Sequence, residues 1–244
     1  MSKSTDQDSN NQNNNKSAPS YQEVRYLQGC SSIISAWHER LVDIKNNANN
    51  APINDEADNG YSAFFRTSIS SSDAAKLKRC QHIDEVAMQP AFIALWQQVN
   101  NKLNALAHKT VITDATFNAW LAVAWVLAQV RHADERYYVS GNDKAKHKLI
   151  NNMAHVAGSQ DNESSLITPL RFEKLISARN PNDFVQLLSR LVAQLQQQGK
   201  PLNIVLLAND IMHRFADFQG SNYRSPKDKL TVQWSLSYYQ MNAA

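Results

Sequence analysis

The chain has 244 residues, 43% of them hydrophobic, with a formal net charge of +3. That length suits one large domain or two small ones with a genuine core, and the lack of a CxxC pair among only two cysteines, Cys30 and Cys80, excludes a disulfide-stapled scaffold and reads as two reduced thiols. Residues 1–60 carry net −3 and the remainder net +6, so the folding part is moderately basic, short of a free-standing polycation that coats DNA.

Residues 1–20 are polar and of low complexity, too poor in apolar side chains to offset ordering entropy, and are predicted to be a disordered extension. They contain no hydrophobic signal-peptide segment, and no apolar run reaches the roughly 18–20 residues of a membrane span, so the chain reads as a cytoplasmic protein. A first helix is expected over Ser20–Lys45, with a break near Gly29 and Ile33, Ile34, Trp37, Leu41 and Ile44 on its apolar stripe. Asn46–Gly60 reads as a polar linker, and Tyr61–Phe65 as a short helix or turn.

Ser71 or Ser72 is expected to cap a short basic helix with Asp73 in its first turn. Ile83–Val86 leads to Pro90, which opens a helix through Phe92, Leu95, Trp96, Val99 and Leu103. Thr113-Asp114 caps the most hydrophobic helix, expected to run from 114 to about 132; its apolar residues cover most of the circumference, which places it centrally. Residues 138–166 are polar and suggest a loop around a short helix near Lys144–Ala157.

The last third is sharply punctuated. Thr168-Pro169 opens a helix ending near Arg179, and Asn180-Pro181 opens the next. Phe184, Leu187, Leu188, Leu191, Val192 and Leu195 form its buried face, opposite Gln186, Arg190, Gln194 and Gln197. Gly199 is a C′ residue followed by Pro201, Asn203 caps a helix carrying Leu207, Ile211 and Phe215, Gly220 closes it, and Ser225-Pro226 opens a last helix with Leu230, Trp234 and Tyr238 on one stripe. No stretch alternates convincingly with a period of two. The predicted fold is all-α, a two-lobed helical bundle of about eight helices, with an N-terminal lobe over 21–136, the polar loop over 137–166 and a C-terminal lobe over 167–244.

The familiar catalytic constellations are missing. The seven histidines fall in no HExxH, HxH or Cys/His zinc spacing, and there is no GxSxG, P-loop or GxGxxG among six glycines. Asp134-Glu135 and Asp210 read as solvated carboxylates rather than a nuclease pair, and all five tryptophans fall on core stripes. No enzyme activity, cofactor or metal is expected. The basic residues are patterned: Lys76, Lys78 and Arg79 on one short helix, Arg171, Lys174 and Arg179 around the next candidate, then Arg190, Arg214, Arg224, Lys227 and Lys229. Several lie on otherwise neutral, Gln-rich faces, which suits phosphate holding without base reading.

The run Leu175–Arg179, then Asp183–Val192, Gly199–Asn203 and Leu207–Ile211, resembles the small subunit of the type I-E CRISPR surveillance complex Cascade, the CasB family. Trp37–Leu41, Ala75–Arg79 and Pro90–Phe92 add to the likeness, which spans roughly residues 34–239; Ser177 and Val232-Gln233 depart from the family's usual basic residues. The resemblance implies a non-catalytic protein whose partners are the other Cascade subunits, a second copy of itself, and the guide RNA–target DNA hybrid with its displaced strand, with no membrane involved. It also implies that Lys78 and Arg79 match the family's basic pair, and Arg190 the basic residue of its leucine-rich helix. A different class remains open: a helical adaptor whose basic faces bind acidic protein surfaces.

Overall fold

The computed structural model describes residues 26–46, 60–106, 113–134, 152–161, 164–220 and 225–242. The expected extension over 1–20, most of the 46–60 linker and the start of the Lys144 helix lie outside these residues. Among those described, the fold is all-α, with helices α1 (Ser31–Asn46), α2 (Tyr61–Ser68), α3 (Ser71–Arg79), α4 (Ile83–Ala87), α5 (Pro90–Ala105), α6 (Asp114–Leu127), α7 (Met153–Gly158), α8 (Pro169–Ile176), α9 (Pro181–Gln197), α10 (Ile204–Phe218) and α11 (Leu230–Asn242). A two-stranded antiparallel ribbon joins β1 (Gln160–Asp161) to β2 (Ser164–Ser165). Eleven helices stand where about eight were expected. The extra ones are short, too short for a helical period to register in the sequence.

Several helix ends are settled by local chemistry. Ser70, not Ser71 or Ser72, is the N-cap of α3: its hydroxyl accepts the Asp73 N–H while the Asp73 carboxylate accepts the Ser70 N–H, a reciprocal capping box. Asn180 and Asn203 cap α9 and α10 through their side-chain oxygens. Thr168 stands at the N-cap of α8, but its hydroxyl makes no capping bond. After α9, Gly199 adopts φ +68°. The Lys200 N–H then reaches the Leu195 carbonyl and the Gly199 N–H the Gln196 carbonyl, the paired bonds of a Schellman motif.

Other ends move from their expected places because tertiary partners intervene. Tyr26–Gly29 forms a turn with left-handed Gln28 and Gly29, so α1 starts only at Ser31. The last helix starts at Leu230 rather than Pro226: Pro226–Asp228 is a 3-10 turn, and the Leu230 N–H is taken by the Asp217 carboxylate of α10. Helix α6 stops at Leu127 rather than near 132. Beyond it the Arg131 and His132 N–H groups bond to the side-chain oxygen of Gln196, at 2.8 and 2.7 Å, instead of to α6 carbonyls.

Helices α1–α5 pack on one another, as do α7, α8, α9, α10 and α11, and α6 touches both groups. Its nine residues Ala119–Leu127 are all buried, as an all-round apolar helix requires. The buried apolar residues form one continuous cluster running through it, with Trp37, Trp120, Trp125 and Trp234 inside and Trp96 half-buried against Phe117. Helix α7 lies very close to α11: a Cβ at Gly158 would collide with the Tyr238 carbonyl oxygen. Tyr238 in turn stacks on Phe172 with centroids 4.0 Å apart.

Candidate nucleic-acid interface

The basic end of α3 is built on a firm start. The capping box orders the first turn, Ala74 and Leu77 bury against the core, and Lys76 and Arg79 are left exposed. Lys76 lies 3.6 Å from Asp73, a surface ion pair of small energetic weight. Lys78 is half-buried, and its carbonyl accepts the Gln129 side-chain amide at 3.2 Å, tying the end of α3 to the segment that follows α6.

Helices α8 and α9 form a second basic face. Arg171 and Lys174 are exposed on α8 and Arg190 on α9. The Arg171 guanidinium donates to the Gln194 side-chain oxygen at 2.8 Å, and Gln194 donates to the Leu166 carbonyl. Since Arg190 and Gln194 are one turn apart on α9, and Arg171 and Lys174 one turn apart on α8, the fold gathers Arg171, Lys174 and Arg190 on one side of the α8–α9 pair. Arg179 is exposed in the turn between these helices.

The remaining candidates differ. Arg214 turns inward: it donates to the Ala178 carbonyl at 2.8 Å, and its guanidinium carbon sits 4.2 Å from the Phe218 ring centroid and 5.8 Å from that of Phe184. Burial lowers its pKa and Asp217 opposes that shift. It therefore serves as a tie between α10 and the α8–α9 turn. Lys227 and Lys229 are exposed at the entry to α11. Arg224 lies outside the described residues.

A third basic site is one the sequence did not single out. Gln196, in a run that reads as solvent-facing, is buried. Its carboxamide oxygen accepts the Arg131 and His132 N–H groups and its amide donates to the Lys200 carbonyl at 2.8 Å. The Leu202 N–H bonds to the His132 carbonyl and the Asp134 N–H to the Leu202 carbonyl, closing a short bridge between the two segments. Exposed Arg131 and half-buried Lys200 are thus fastened to one side chain, beside the α3 end held by Gln129. The only sequence signal was that Gln196 falls one position from Leu195 on the apolar side of α9.

Groups with chemical potential elsewhere are occupied by packing. His38 is buried, bonds to the Val130 carbonyl at 3.2 Å, and burial lowers its pKa to about 4, keeping the ring neutral. The Asp210 carboxylate lies in the core, accepts the Trp234 indole N–H at 2.9 Å and is pushed up to about 7 by burial. The Cys30 thiol is buried and raised to about 11, which suppresses thiolate chemistry. Among the described residues no group of three or more His, Cys, Asp or Glu could hold a metal, and no helix is long and apolar enough to cross a membrane.

The family described as CRISPR-associated protein Cse2 matches residues 73–239, from the first turn of α3 into α11. The chain belongs to the Cse2 family. Cse2 proteins are the non-catalytic structural small subunits of the type I-E Cascade complex. The Cse2 match takes in α3, the post-α6 segment, and α8–α9, so all three basic sites lie within it. No curated protein and no solved structure matches the chain.

Proposed function

We propose that this Cascade small subunit is a sequence-independent clamp on nucleic-acid backbone. It holds the guide RNA–target DNA hybrid and the displaced strand, stabilising the R-loop in antiviral defence, and performs no chemistry itself. Strand exchange between two duplexes is nearly balanced, so modest phosphate contacts are enough to tip it. The observation that carries the reading is a Cse2 match spanning helices whose apolar faces are buried while Lys76, Arg79, Arg171, Lys174, Arg179 and Arg190 stand exposed on their outer sides. Other Cascade subunits and a second copy of the chain are its partners in this reading, and the cytoplasm its setting.

The test is to assemble the complex with Arg79→Glu/Arg190→Glu and follow strand opening in target DNA by permanganate reactivity. Both side chains are exposed, so the variant folds and joins the complex. Opening of the displaced strand is expected to weaken about equally on every target sequence and to become more salt-sensitive in its onset. Unchanged opening sinks the clamp reading, and a loss that varies with target sequence points to base readout instead.

A further inference from the structure

The C-terminal ends of α3, α6 and α9 meet around the segment 129–134, which Gln129 ties to Lys78 and Gln196 ties to Lys200. This brings Lys78, Arg79, Arg131 and Lys200 to one seam between the N-terminal helices and the C-terminal ones. Four cations so placed would repel one another. The exposed carbonyl ends of three helices, each carrying partial negative charge, offset that repulsion from the protein side. Asp134 is the nearest acidic residue along the chain, and its own N–H is engaged with the Leu202 carbonyl. The cations' outward sides are left for an external anion.

We infer that this seam is a second phosphate-backbone seat, spanning both helix groups, and that Gln196 is its positioning residue. The inference rests on the clamp reading above and adds to it Arg131 and Lys200 as contacts. The Gln196 carboxamide is suited to the part. One buried amide satisfies two consecutive backbone N–H groups and one carbonyl, so the backbones carrying Arg131 and Lys200 cannot shift independently. Without it, two N–H groups and a carbonyl lose their partner and the two segments separate.

The experiment uses the full chain and measures binding to a labelled single-stranded DNA oligonucleotide and to its duplex between about 50 and 200 mM salt. Three variants are compared with the parent: Arg131→Ala/Lys200→Ala, Gln196→Met, and Arg171→Ala/Lys174→Ala/Arg190→Ala. The Arg131/Lys200 pair is expected to lower the slope of log affinity against log salt by about two units, one per phosphate lost. Gln196→Met is expected to lower it by a similar amount, and adding the Arg131/Lys200 substitutions to it is expected to change little more. A lower melting temperature with an unchanged salt slope for Gln196→Met overturns the positioning role, because loss of stability alone does not alter how many phosphates the folded protein holds. Should the α8–α9 variant weaken binding while the Arg131/Lys200 pair does not, the seam falls and the clamp stands. If neither variant changes binding, or the parent does not bind, both fall. Displacement of the DNA by polyglutamate as readily as by unlabelled DNA also overturns the seat and points to an acidic protein partner.

Discussion

Two buried titratable side chains pull stability in opposite directions over the same range of pH. The native pKa of His38 is about 4 against an ordinary 6.5. The unfolded chain therefore takes up the proton first, and the contribution of neutral His38 is fully present above about pH 6.5 and lost as pH falls toward 4. Asp210 has a native value of about 7 against an ordinary 3.8. Here the protonated form is favoured in the fold, so its contribution is present below the ordinary value and lost as pH rises toward 7. Asp210→Asn keeps an oxygen to accept the Trp234 N–H and removes the buried charge. The variant is expected to melt on the order of several degrees higher above neutral pH. Between about pH 4 and 7 its stability should fall more steeply on acidification than the parent's, since only His38 remains to titrate. Thermal melts of both proteins across that interval check it, and a variant that melts lower above neutral pH contradicts the assignment.

At the scale of the element, helix starts and close contacts decide where charge is presented. Removing the Ser70 cap with Ser70→Ala is expected to cost about 1 kcal/mol and to speed amide hydrogen exchange in the first turn of α3, which orders the helix carrying Lys76, Lys78 and Arg79. Exchange unchanged in α3 shows that packing alone orders it. The α7–α11 contact is less forgiving. Gly158→Ala places a methyl group against the Tyr238 carbonyl, and the helices must part. The expected penalty is about 1–3 kcal/mol, with loosening of the Tyr238–Phe172 stack. Near-ultraviolet circular dichroism and denaturant midpoints read the two effects separately. A fully parental midpoint means that α7 moves aside at no cost.

For the whole molecule the decisive feature is α6, which lends one buried surface to both helix groups. Because the apolar cluster is continuous through it, the two groups are expected to unfold in one cooperative transition, with calorimetric and van't Hoff enthalpies in agreement. Two resolved transitions would show that the groups are independent domains. Coupling of this kind matters for a backbone clamp. Phosphate contacts on α3 and on α8–α9 act together only if the helices between them do not yield.

Much of this protein was legible in its sequence, for physical reasons that act locally. Proline at N1, asparagine at the N-cap and glycine at C′ each satisfy or spare backbone groups within a few residues, so α5, α9 and α10 start and stop where the residues say they should. A helix apolar on all sides has to be central, and α6 is. The exposed positions of Arg79, Arg171, Lys174 and Arg190 followed from the apolar stripes opposite them. What the sequence could not state were bonds between distant segments. The pattern of α6 runs on past Leu127, yet the helix ends there because Gln196, more than sixty residues away, takes the next free N–H groups. Arg214 matches its exposed basic neighbours in composition but is drawn in by the Phe184 and Phe218 rings and the Ala178 carbonyl. Gln196 itself sits in a glutamine run whose members are chemically identical, and only the approach of the 131–132 backbone makes one of them structural. Periodicity and capping are written in short windows of sequence. The partner of a buried polar group depends on which surfaces the packed helices bring together, and that was decided by the tertiary structure.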